Sequence, residues 1–144
     1  MKEIAKYKGC FVCGDENNIG LKAKFFFDGQ KAVSEIIADE KYAGYKNIFH
    51  GGIISTMLDE IMIKALLAED LFVVTAEMTV RFKKPVYTGD CIKFEGSKTA
   101  VKGRVFLTEG KAVNQHGEVV AEATGKYIAP KTDLSDKLKD SVEQ

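Results

Sequence analysis

His50, Gly51, Gly52 and Asp59 are the residues of this 144-residue sequence whose types and spacing could do chemistry. They open, and run into, the one long helical pattern in the middle of the chain, Asn47 to Ala68. A glycine inside a helix costs about 1 kcal/mol. At a helix entrance the same residue opens access to the first-turn N–H groups, which have no intrahelical partner. Those groups and the helix dipole favour negative charge, so the entrance can hold a developing oxyanion. Asp59 lies two turns further in, in a largely apolar segment where aspartate is a poor helix former. A carboxylate is costly to bury unless it has partners or work to do. A carboxylate facing the same pocket as the helix entrance is one reading of Asp59, and a surface aspartate is the plain alternative. Glu60 points about 100° further round the helix and is expected to make a structural ion pair.

The element that must position these groups is the helix itself. Ile54, Met57, Leu58, Ile61, Met62, Ala65 and Ala68 fall on one arc, and Ser55, Thr56, Asp59, Glu60 and Lys64 on the other. Ile63, Leu66 and Leu67 interrupt the polar arc. The pattern predicts a buried central helix whose second face meets another protein surface, and hence a dimer or larger assembly.

Around the helix the sequence reads as strands. Leu21 to Phe27 and Lys31 to Ala38 flank the hairpin signal Asp28-Gly29. Leu71 to Lys83 alternates strictly, placing Val74, Ala76, Met78, Val80 and Phe82 on a face toward the helix and Thr75, Glu77, Thr79 and Arg81 on a polar face. Cys91 to Val101, Arg104 to Asn114 and Val119 to Ile128 complete the set, joined at Lys102-Gly103 and Gln115-His116-Gly117-Glu118. Lys131 to Gln144 reads as a charged amphipathic helix or tail. Short connections make the sheet mainly antiparallel, so the class is α+β: one helix on one sheet, in one domain over residues 1–144.

Composition narrows the function classes. Twenty-one basic residues balance 21 acidic ones, so nothing points to nucleic acid. No apolar run reaches the roughly 18 residues of a membrane span, and the N-terminus lacks a signal-peptide core, so a cytoplasmic location is expected. Cys10 and Cys13 form a C-x-x-C pair and Cys91 stands alone. Redox pair and half a zinc site are the sharp readings. The expectation is two reduced thiols flanking a turn at Gly14, with no metal and no part in turnover. Phosphate-binding glycine signatures and nucleophile elbows are absent, so no cofactor is expected.

Phe49-His50-Gly51-Gly52, with Asp59 nine residues after the histidine, resembles the active-site helix of hotdog-fold acyl-CoA thioesterases, the phenylacetyl-CoA type most closely. Cys10-Phe11-Val12-Cys13-Gly14 through Gly20-Leu21, Thr75 to Pro85 with Gly89-Asp90, and Gln115-His116-Gly117 through Gly125 resemble other segments of that superfamily. The similarity covers roughly residues 10–129. It implies a hotdog fold, in which the sheet wraps the central helix and two units join into a homodimer or homotetramer. It implies hydrolysis of an acyl-CoA thioester without metal: Gly51 N–H binds the carbonyl oxygen, His50 orients the site, Gly52 lines it, and Asp59 of the neighbouring subunit attacks or activates water. Thr75 stands where relatives carry a water-positioning Ser or Thr. Asn47 is a further polar candidate, although relatives place an Asn or Gln at the position of Gly44. Lys83, Lys84, Lys102 and Arg104, near strand ends, are candidates for the phosphates of coenzyme A. A non-catalytic acyl-CoA or acyl-carrier binding module of the same fold is the alternative. The His-Phe-Pro-Gly pattern of hotdog dehydratases does not occur.

Overall fold

The computed structural model describes residues 1–142, so the end of the expected C-terminal tail lies outside the described residues. The elements are β1 (Lys2–Glu3), β2 (Phe25–Phe27), β3 (Ala32–Ile37), a 3-10 turn (Glu40–Tyr42), α1 (Gly51–Leu67), β4 (Val74–Phe82), β5 (Cys91–Lys102), β6 (Val105–Val113), β7 (Val119–Ile128) and α2 (Thr132–Val142). All seven strands join one sheet in the order β1-β2-β3-β5-β6-β7-β4, with every pairing antiparallel. The helix α1 packs against six of the strands, β2 through β7. This is the hotdog arrangement: a sheet curved around one apolar helix.

The turn signals hold, with Gly29, Gly103 and Gly117 all in the left-handed region (φ 101°, 60° and 79°) that glycine enters without penalty. The first expected strand is shorter than its pattern. Lys22 adopts φ 51°, and the Leu21 and Ala23 N–H groups donate to Phe11 and Val12 carbonyls instead of to a strand. Regular pairing therefore begins only at Phe25.

On α1, Met57, Leu58, Ile61 and Met62 are wholly buried, as the apolar arc requires. Gly96 sets how closely the helix approaches β5: a Cβ there would lie 2.6 Å from the Ile61 carbonyl oxygen. Two residues of the supposed second arc depart from expectation. Leu66 is fully covered within the chain, and Lys64 is only 2% exposed. The Lys64 Nζ donates to the Ala5 carbonyl at 2.6 Å, which makes burial of the ammonium tolerable. The helix therefore offers a partner less surface than its wheel suggests.

The larger uncovered surface is on β4. This edge strand pairs with β7 on one side only, and of its apolar face only Met78 and Val80 pack on the core, while Phe82 is 53% exposed. Its strict alternation also fails. The register shifts between Thr75 and Glu77, so that Thr75 opposes Tyr127 and Met78 opposes Gly125. A bulge holding one extra residue, Ala76, turns Thr75 to the helix side of the sheet rather than to the polar face.

Candidate active site

The chain reaches α1 through a loop pinned at both sides. Phe49 N–H donates to the Val86 carbonyl and His50 N–H to the Tyr42 carbonyl. His50 is the N-cap of α1, and its Nδ1 accepts the Gly52 N–H at 2.8 Å. A cap of this kind is worth about 1 kcal/mol. Because Nδ1 accepts, the tautomer that fits this bond carries its proton on Nε2. The Gly52 N–H is thereby occupied. That of Gly51 has no backbone acceptor among the described residues and remains the free donor at the positive end of the helix. The Phe82 ring stands over this point, 3.4 Å from where a Cβ on Gly51 would sit. Gly44 backs the His50 ring, with a Cβ position 3.3 Å from Cδ2, so a larger side chain at 44 would press on the histidine.

Asp59 is half-buried. Its Oδ1 accepts two hydroxyl hydrogens, from Thr75 at 2.9 Å and from Tyr127 at 2.8 Å. Oδ2 has no partner among the described residues, leaving one carboxylate oxygen held and one free. Tyr127 is wholly buried; burial first, and then the charge of Asp59, push its phenol pKa up, so it stays protonated as a donor. Tyr127 is not among the residues singled out from sequence. The available signal was a tyrosine on the inward-facing register of an alternating strand, where a buried phenol must find a partner.

Among the described residues Glu60 has no ion-pair partner of the kind expected. It faces Cys10, with Oε2 3.8 Å from the sulfur, and burial pushes its pKa up to about 7. Asn47 contributes through its backbone: at φ 65° its carbonyl accepts the Thr88 N–H. Nor do the basic residues gather at one place. Lys83 pairs with Glu122 at 3.0 Å and Lys84 with Glu118. Lys84 follows β4 at the end where Phe82 opposes Ala121, whereas Arg104 precedes β6 at the end where Val105 opposes Ile128. Those ends are about 23 Å apart along β7, so Lys84 and Arg104 of one chain cannot cradle the same phosphate.

A sequence model described as the thioesterase superfamily matches residues 46–121, more than half of the chain and the whole of the helix with Asp59, Thr75 and the turn after β4. The chain belongs to the thioesterase superfamily. An uncharacterized protein of Schizosaccharomyces pombe is 31% identical over 93 residues, 60% of this chain; the matched region is about half the length of that relative, 53%. Among solved structures, a thioesterase superfamily protein aligns with TM-score 0.79 and 20% identity over 84% of this chain and 60% of its own. The PaaI protein from the phenylacetic acid degradation operon of E. coli aligns with TM-score 0.71 and 21% identity over 75% of this chain and 83% of its own. A hypothetical thioesterase from Streptococcus pneumoniae, solved with coenzyme A, gives TM-score 0.71 and 18% identity over 75% and 85%. These likenesses show a shared hotdog fold, and the E. coli protein meets the expected resemblance to the phenylacetyl-CoA type at that level. In this thioesterase-superfamily chain no described helix is long and apolar enough to cross a membrane.

Proposed function

We propose that this protein hydrolyses an acyl-CoA thioester to the free acid and coenzyme A, at a site shared between two copies of the chain. The observation that carries the reading is the state of Asp59: one oxygen fixed by two hydroxyl donors, the other free, in a half-buried position. A carboxylate so oriented is prepared to attack a thioester carbonyl or to take a proton from water. Coenzyme A in the pneumococcal structure supports the substrate class.

The oxyanion donor must come from a second copy. Gly51 and Asp59 lie eight residues apart on one straight helix, a rise of about 12 Å. A single carbonyl cannot reach both. Antiparallel association along the free edge of β4 would bring one chain's Gly51 toward the other's Asp59, and it would cover Phe82. In that arrangement the Gly51 N–H stabilises the developing oxyanion and His50 holds the first turn in shape. Thr75 donates a hydrogen bond to Asp59 and keeps lone pairs to accept one from water. The deciding assay is release of free coenzyme A thiol from a panel of acyl-CoA esters. Turnover of at least one ester class supports the proposal. Binding without release across the panel replaces it with a non-catalytic acyl-CoA binding module.

A further inference from the structure

We propose that Cys10 and Cys13 form a thiol–disulfide exchange centre, separate from the thioester site, with Glu60 as the proton acceptor for Cys13. The two sulfurs and a Glu60 oxygen lie within 4.8 Å of one another. The loop holding them is tightly wound: Gly14 N–H donates to the Cys10 carbonyl at 2.9 Å, and a Cβ on Gly14 would meet the Lys8 carbonyl oxygen at 2.3 Å. Within this turn the Val12 and Cys13 N–H groups point at the Cys10 sulfur, at 3.3 and 3.5 Å. Two amide donors aimed at one sulfur favour its thiolate.

The pair is asymmetric in the way exchange chemistry requires. Cys10 is half-buried and Cys13 is 2% exposed. The hydrogen bond from Cys13, together with the backbone donors, holds the Cys10 thiol below the ordinary range, while the same bond and burial push Cys13 up. Cys10 therefore attacks first, and Cys13 needs a base. Glu60 is that base: it is half-buried, with a carboxylate oxygen within 4.8 Å of the Cys13 sulfur, and poised near neutrality by the loss of water around it. Lys64 and Asp59 are the other charges bearing on Glu60. A divalent metal is the competing occupant. A closed structural zinc site is disfavoured because it takes four protein ligands and the cluster among the described residues stops at three, and because the buried Lys64 ammonium acts on all three of them.

The step balances with a low-molecular-weight disulfide as oxidant. The Cys10 thiolate attacks one sulfur, forming a mixed disulfide and expelling one thiolate. Cys13 passes its proton to Glu60 and attacks the Cys10 sulfur. The Cys10–Cys13 bond forms and the second thiolate leaves, taking up a proton. The dithiol loses two electrons and the external disulfide gains them.

The test incubates the full chain with glutathione disulfide, quenches by alkylation and maps the peptides by mass spectrometry. The expected wild-type product is one Cys10–Cys13 disulfide with Cys91 still alkylated. Cys13→Ser should accumulate glutathione on Cys10, and Glu60→Gln should let the mixed disulfide persist about a hundredfold longer, the low side of general-base effects. Thioester hydrolysis by Cys13→Ser should remain near wild type. Cys10 and Cys13 alkylated independently at every glutathione ratio, or Cys10 no more reactive than Cys91, would overturn the proposal. So would stoichiometric zinc retained by the purified protein.

Discussion

The Thr75 hydroxyl donates to Asp59 Oδ1 across 2.9 Å, joining an edge strand to the central helix over a separation of 16 residues. The contact exists because the bulge at Ala76 turns Thr75 inward. Removing the hydroxyl leaves Oδ1 with Tyr127 alone. A hydrogen bond to a charged group is worth about 1.5–3 kcal/mol, so Thr75→Ala should lower kcat roughly ten- to a hundredfold while KM changes little. Steady-state kinetics on a cleaved acyl-CoA checks this, and unchanged kcat would reduce Thr75 to an ordinary strand residue.

The same pair shows where a sequence stops being readable. The helix and its entrance were legible because apolar spacing and a His-Gly-Gly run are local features. The sheet was legible for the same reason: alternation and the left-handed glycine turns depend on near neighbours. A bulge is a register decision made between β4 and β7, so alternation placed Thr75 on the wrong face. The inward register of Tyr127 signals a buried phenol in need of a partner, but not that the partner is Asp59, 68 residues away. Lys64 looked like a surface residue because its acceptor, the Ala5 carbonyl, lies 59 residues away. The dispersal of Lys84 and Arg104 to opposite sheet ends follows from strand order, which spacing does not encode.

The proposed composite site would make assembly a condition of activity. The free β4 edge, with Phe82 exposed on its apolar face, should be covered in a dimer or tetramer at micromolar concentration. Light scattering coupled to size exclusion reads this directly. A monomer that retains turnover would refute the shared site.

Glu60 gives the fold a dependence on pH. Below its ordinary value of 4.5 the group is protonated in both the folded and the unfolded chain. Between there and about 7 only the unfolded chain releases the proton. Unfolding is therefore favoured progressively as pH rises through that window, and the penalty is complete above it. Desolvation is the leading cause, so Glu60→Gln should remove the penalty. Thermal melts of both proteins across the range should show the variant gaining on the wild type as pH rises toward about 8. A melting difference that is constant with pH, or that grows in acid, would show that Glu60 is not held protonated.

Whether Asp59 performs the chemistry is decided by the kcat of Asp59→Asn on an acyl-CoA ester that the wild type hydrolyses. The amide keeps the shape, so the variant should melt near the wild-type temperature. It should lose at least about a hundredfold in kcat, the scale of general-base removal, while Glu60→Gln, measured beside it, remains within a few-fold of wild type. A folded Asp59→Asn protein turning over at the wild-type rate would exclude Asp59 from the chemistry, and a dead Glu60→Gln beside an active Asp59→Asn would transfer the role to the neighbouring carboxylate.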